Sequence, residues 1–162
     1  MARDTVTADP AQTSYTAGQV VTLTATAAPN HTFTGWSGAV TGTTNPITLT
    51  MDSDKVVTAT FALNTHELTI LKTGTGDGSV VSIPAGIACG ASCTAAFSHG
   101  TLITLTATAD TGSTFTGWSG PLTSTNPTIT VTLEMAMTIT AEFALEPTPP
   151  TSYRIFLPLV VK

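Results

Sequence analysis

The chain reads as all-β: two tandem small antiparallel modules of the β-sandwich or β-grasp-like kind, followed by an extended C-terminal strand of donor type. Three observations predict this. The first is a duplication: Phe33-Thr34-Gly35-Trp36-Ser37-Gly38 recurs as Phe115-Thr116-Gly117-Trp118-Ser119-Gly120, and Thr22-Leu23-Thr24-Ala25-Thr26-Ala27 recurs as Thr104-Leu105-Thr106-Ala107-Thr108-Ala109. Blocks in constant register along a chain are the mark of tandem repeats. The second is periodicity. Apolar residues alternate with Thr through both blocks, which puts aliphatic side chains on one face of a strand and hydroxyls on the other. The third is punctuation: Ala28-Pro29-Asn30, Asn45-Pro46, Asp52-Ser53-Asp54, Asp110-Thr111-Gly112 and Asn126-Pro127 separate the apolar runs. Short strands between such turn formers describe a small sandwich or barrel.

Taken in order, the first copy spans 1–63 and enters at Thr5-Val6-Thr7. Val21 to Ala27 is its first long alternating run, Leu49/Met51 marks the next strand, and Val57/Ala59/Phe61 marks the last. The second copy, 64–145, opens with an apolar run that the first copy lacks, His66-Glu67-Leu68-Thr69-Ile70-Leu71-Lys72. Gly74-Thr75-Gly76-Asp77-Gly78 then reads as the tip of a hairpin joining that run to Ser79–Ile83. Ser79-Val80-Val81 matches Thr5-Val6-Thr7, so the first copy begins on the second arm of the hairpin. Ile103 to Ala109, Val131/Leu133 and Ile139/Ala141/Phe143 repeat the later strands. Asn64-Thr65-His66 is the whole connection between copies. Residues 146–152 form a Pro/Thr linker that reaches about 3 Å per residue as a polyproline-type spacer. Residues 153–162 follow, with Tyr153, Ile155, Leu157, Leu159 and Val161 on one face and Phe156 and Val160 on the other. Apolar side chains on both faces are the pattern of a buried strand.

Composition narrows the function. Only 9% of residues are charged, against roughly a quarter in ordinary soluble domains. Thr occurs 37 times, which favours strands through its branched Cβ. A surface this poor in charge has little protection against edge-to-edge association, so it suits a surface that is covered or an extracellular matrix. With five Lys and Arg and a net charge of −5, nothing can displace counterions from phosphates, so nucleic acid is not an expected partner. No apolar stretch approaches the ~20 residues of a membrane-spanning helix. Met1-Ala2-Arg3-Asp4 leads into polar sequence without a secretory apolar region, as after removal of a signal or in a piece of something longer.

Candidate chemistry is sparse. Cys89 and Cys93 flank three residues, which is neither the redox spacing nor, with only His99 nearby, a full zinc ligand set. The expected role is a local disulfide pinning a loop, in an oxidising compartment. Asp52, Asp54 and Asp77 sit in turns and fall short of the six to eight oxygens of a calcium site. His31, His66 and His99 are scattered, and no nucleophile–base constellation accompanies them. Asn30-His31-Thr32 is a glycosylation acceptor pattern. Trp36 and Trp118 could stack on sugars, but each lies between glycines in the most repetitive stretch, which favours a core role. Neither an enzyme, a cofactor nor a metal is expected.

The succession Val-Thr-Leu-Thr-Ala, Phe-Thr-Gly-Trp-Ser-Gly and a closing Thr-Ala-x-Phe resembles the divergent internalin-B-type (InlB B) repeat of bacterial surface proteins. The second copy fits from Leu68 to Phe143, including the Cys89/Cys93 loop, and the first from Val20 to Phe61 without the opening strand. The resemblance implies an extracellular spacer or adhesive stalk at the cell surface, and no catalytic residues. The C-terminal run also resembles terminal segments of secreted bacterial proteins, which implies a role in export or attachment.

One module lacks a strand and one strand lacks a module. The expected function is therefore a filament subunit, with Tyr153, Ile155, Phe156, Leu157, Leu159 and Val161 inserted into the first module of a neighbouring copy. There Val6, Val21, Leu23, Trp36 and Phe61 form the receiving core. Tyr153-Arg154-Ile155-Phe156-Leu157 matches His66-Glu67-Leu68-Thr69-Ile70, a ring and a charge before alternating aliphatics. Pro158 removes a ladder hydrogen bond and suits an edge or bulge. A passive surface spacer and a glycan-binding adhesin are the alternatives, with matrix and glycans as their candidate contacts.

Overall fold

The computed structural model describes residues 3–90 and 93–147. The expected donor strand from Tyr153 to Val161 and most of the linker lie outside the described residues. Within them the chain is all-β, as expected, in thirteen strands without a helix.

The first copy has five strands: β1 (Thr5–Asp9), β2 (Val20–Thr26), β3 (His31–Gly38), β4 (Ile47–Thr50) and β5 (Val57–Leu63). They form a three-stranded sheet in the order β1-β2-β4 and a two-stranded ribbon β3-β5. The second copy has eight: β6 (Thr65–Gly74), β7 (Gly78–Ile83), β8 (Ala88–Cys89), β9 (Thr94–Ser98), β10 (Thr101–Ala109), β11 (Ser113–Ser119), β12 (Thr128–Leu133) and β13 (Met137–Leu145). Its two sheets run β12-β10-β7-β8 and β11-β13-β6-β9. Thr75–Asp77 joins β6 to β7, but β6 pairs with β13 and β9 while β7 pairs with β10 and β8, so the hairpin expected from the glycine-rich stretch is instead a turn that crosses from one sheet to the other. Asn64 alone separates β5 from β6, because Thr65 and His66 already belong to the strand.

Registers make the two copies comparable residue by residue. Thr5 pairs with Thr26 in β1–β2, and Ser79 pairs with Thr108 in β7–β10, so Thr5 stands where Ser79 stands and Val6 where Val80 stands. The ribbon β3–β5 slips one residue between Phe33 and Gly35, and β11–β13 slips at the equivalent Phe115 and Gly117. Such a bulge turns the strand and breaks its alternation. It brings Trp36 inward, where its backbone N–H donates to Gly42 O at 2.8 Å and its Nε1–H to Thr44 O at 2.9 Å. Trp118 does the same with Ser124 O and Asn126 O.

By packing, the chain divides into two compact units. One holds the residues up to Leu68 with 95–103 and 131–137; the other holds 69–94, 104–130 and the chain from Thr138 on.

Candidate strand-acceptor groove in the first copy

Five strands of the first copy have a counterpart in the second: β1 in β7, β2 in β10, β3 in β11, β4 in β12 and β5 in β13. Strands β6, β8 and β9 have none. In the second copy β6 lies between β13 and β9, and Leu68 and Ile70 bury its inner face in the core. Among the described residues nothing occupies the matching place beside β5, so β5 pairs with β3 on one edge only. A strand edge of this kind presents unpaired N–H and C=O groups.

Side-chain burial follows the vacancy. Val80 is 0% exposed, whereas Val6 is 48% exposed. Phe143, Ile139, Ala141, Leu105 and Leu133 are fully buried. Their counterparts Phe61, Val57, Ala59, Leu23 and Met51 are only half-buried. Positions away from the missing strand show no such contrast: Val21 is as buried as Ile103, and Trp36 at 5% is as buried as Trp118 at 3%. The aromatic cluster is also common to both copies, with Phe33 against Phe61 at 5.7 Å and Phe115 against Phe143 at 5.6 Å. The first copy is thus the second with its scaffold kept and one wall open.

The opening is an apolar cleft of about 230 Å³ lined by Val6, Ala8, Tyr15, Val21, Leu23, Leu49, Met51, Lys55 and Val57. An apolar cavity of about 150 Å³ takes a benzene-sized group, so this cleft has room for one or two aliphatic side chains. Lys55 stands at its margin where the second copy has Met137, and its ammonium is held by Asp52. That contact, ahead of a bond from Ser53, holds the Asp52 carboxyl below its ordinary range. Near the start of β1, Asp4 accepts from the Ala28 N–H at 2.8 Å and from the His31 ring at 2.9 Å. The backbone bond from Ala28, with His31 adding to it, lowers the Asp4 pKa.

Of the receiving residues expected from sequence, Val6, Val21 and Leu23 line the cleft itself. Phe61 and Trp36 belong to the ribbon beside it. Sequence reading missed Ala8, Tyr15, Leu49, Met51, Lys55 and Val57 as lining residues, although the Leu49/Met51 and Val57/Ala59/Phe61 alternations carried three of them.

The other candidates separate from this site. The Cys89–Cys93 disulfide is formed, with Cys89 buried. It links β8, at the edge of one sheet, to the start of β9 in the other. The Cys93 carbonyl accepts from the Ile70 N–H at 2.7 Å, so the link also fixes the outer edge of β6. Because the closed loop is short, replacing both cysteines by Ser is expected to cost about 2 kcal/mol. The check is denaturant unfolding of the second copy. Among the described residues, no three His, Cys, Asp or Glu gather as a metal site, and no helix is long and apolar enough to cross a membrane. His66 and His99 meet at 3.2 Å, and His99 also faces the Glu134 carbonyl at 3.1 Å.

The chain was compared with protein families, with curated proteins and with solved structures. Neither a curated protein nor a solved structure matches it. The model of the divergent InlB B-repeat domain matches twice, over residues 2–65 and 69–147. The two matches cover most of the chain and coincide with the two copies that the strand registers define, so the chain belongs to the divergent InlB B-repeat family, with two tandem members.

Proposed function

We propose that the chain is an extracellular structural subunit that polymerises head to tail, its C-terminal strand filling the open wall of the first copy in the next molecule. The family supports a bacterial surface repeat protein and is not an enzyme family. The disulfide agrees with an extracellular setting. One observation carries the step from repeat to polymer. The same β-scaffold occurs twice, closed by β6 in the second copy and, among the described residues, unclosed beside β5 in the first. Tyr153–Leu157 supplies the pattern that β6 supplies at His66–Ile70. On this match Ile155 takes the place of Leu68 and Leu157 that of Ile70.

Strand addition supplies main-chain hydrogen bonds along its length and lets alternate side chains enter pockets. Burial of Ile155 and Leu157 at ~1.5–3 kcal/mol each amounts to roughly 3–6 kcal/mol before ordering costs, to which the main-chain bonds add. The contact is heterologous, so it propagates unless it closes into a ring. The adhesin reading is weaker, because both indole rings are buried and bonded to backbone carbonyls instead of facing solvent.

The test is deletion of 153–162 followed by electron microscopy and sedimentation. The full chain is expected to form fibres and the truncated chain to remain monomeric. If the truncated chain assembles identically, strand donation is wrong. If the full chain stays monomeric at all concentrations, the tail folds back or serves as a passive spacer's attachment signal.

A further inference from the structure

The segment between β1 and β2 of the first copy lies on the cleft, and its counterpart in the second copy is a strand. Both segments start and end alike. Each follows a cis-proline, Pro10 or Pro84, and each closes on a glycine of left-handed conformation, Gly18 (φ 88°) or Gly100 (φ 77°). The Gly18 N–H donates to Met51 O at 2.7 Å, and the Gly100 N–H to the equivalent Leu133 O at 2.8 Å. Between these fixed points the first copy is shorter, lacking β8 and the cysteine loop. Counting back from the glycine, Thr13-Ser14-Tyr15-Thr16 falls on Ala95-Ala96-Phe97-Ser98, which is β9. Phe97 is buried under the second copy, and Tyr15 lines the cleft of the first with its hydroxyl donating to Pro10 O at 3.0 Å.

Among the described residues β9 is an edge strand with β6 as its one ladder partner. His66 faces His99, Thr69 faces Thr94 and the Ile70 N–H bonds Cys93 O, so the two strands run antiparallel. Thr13–Thr16 retains the position of β9 but is not a strand. The physical reason is the missing neighbour: without β6 there is no ladder for it to join.

We propose that Thr13–Thr16 is a latent strand that joins the sheet when residues 153–157 of a second copy enter beside β5, with Tyr15 closing over the inserted side chains from the place that the buried Phe97 holds in the second copy. This rests on strand donation as proposed above and adds that the donor becomes an internal strand, paired on both sides. By parity with Ala95 and Phe97, the N–H groups of Thr13 and Tyr15 point toward the donor. Pro158 falls at the position of Leu71, beyond Ile70, where the β9 contacts end, so the missing N–H lies outside the stretch that the latent strand covers.

The measurement is amide hydrogen exchange on the assembled full chain, against the chain truncated after 152 as reference. Thr13, Tyr15 and residues 153–157 should all exchange more than about tenfold more slowly in the assembly. In addition, Tyr15→Ala should weaken capture of a synthetic 153–161 peptide by the truncated chain roughly 10- to 100-fold, and Tyr15→Phe should retain it. Protection of 153–157 with unchanged exchange at 13–16 overturns the latent strand while donation stands. Protection at neither place overturns donation and this inference together. Undiminished capture by the Tyr15→Ala chain overturns the closing role of Tyr15.

Discussion

Phe143→Ala is expected to destabilise the second copy by about 3–5 kcal/mol, the usual loss for a fully buried Phe, while Phe61→Ala in the unassembled chain costs roughly half of that. The two residues hold the same place in the scaffold, each edge-on to a Phe of the neighbouring strand. They differ in what lies beyond. Strand β6 runs beside β13 and brings Leu68 and Ile70 into the core, so truncation of Phe143 leaves a cavity that tight packing cannot collapse. Phe61 is half-buried and borders an open cleft, so its ring has less to lose. The check is urea unfolding of tail-truncated chains, with each copy read separately through amide exchange in β5 and β13, because two repeats need not unfold as one. Equal losses would mean that the first copy is already closed. If the chain assembles as proposed, the loss at Phe61 should rise toward that at Phe143 in the assembly.

Gly74→Ala has the second large expected effect, a loss of at least about 2 kcal/mol. Gly74 ends β6 with φ at 100°, a left-handed conformation that an L-residue rarely adopts. A Cβ there would also run into the Phe143 carbonyl oxygen. Two residues on, the Gly76 N–H donates to that same oxygen at 3.0 Å, so the turn after β6 is bonded directly onto β13. A methyl group at 74 must therefore either push β6 off its neighbour or break the turn. Gly90→Ala is the matched control, since a Cβ there meets nothing within 4 Å. Thermal unfolding of the second copy separates the two. Comparable shifts for both variants would show that the close approach at Gly74 is unimportant.

Much of this fold was legible because strands with one buried face write period two into the chain. The alternating runs that start at Val21 and Ile103 fall on β2 and β10. The turn between β6 and β7 was marked by its glycines, although the two strands part into different sheets instead of pairing as a hairpin, and comparison of the copies exposed the unmatched opening run. Strands β3 and β11 were harder. Their bulge puts Phe33 and Trp36, three residues apart, on the same packing cluster. Alternation fails there, so Phe-Thr-Gly-Trp-Ser-Gly read as a motif and not as a strand. Strand β9 was hidden for a different reason. Thr-Ala-Ala-Phe-Ser has little apolar pattern and becomes a strand through its neighbour β6. The homologous Thr13–Thr16, lacking that neighbour, is not one. The Cys89–Cys93 pairing was legible from the want of other ligands, while its position between two sheet edges was not. Of the cleft, Val6, Val21 and Leu23 could be named from alternation. Tyr15 could not, because its equivalence to Phe97 emerges only once Gly18 and Gly100 are superposed through their bonds to Met51 and Leu133.

The bulged ribbon β3–β5 has a further consequence. Its shape is set by the slip at Phe33/Gly35, by the indole bonded to Thr44 and by the Phe33–Phe61 stack, none of which involves a residue of the missing strand. One rim of the proposed docking surface is therefore in place without the donor. On the strand-donation proposal, the host's share of the ordering falls on the β1–β2 loop, and the ribbon need not refold to receive a visitor.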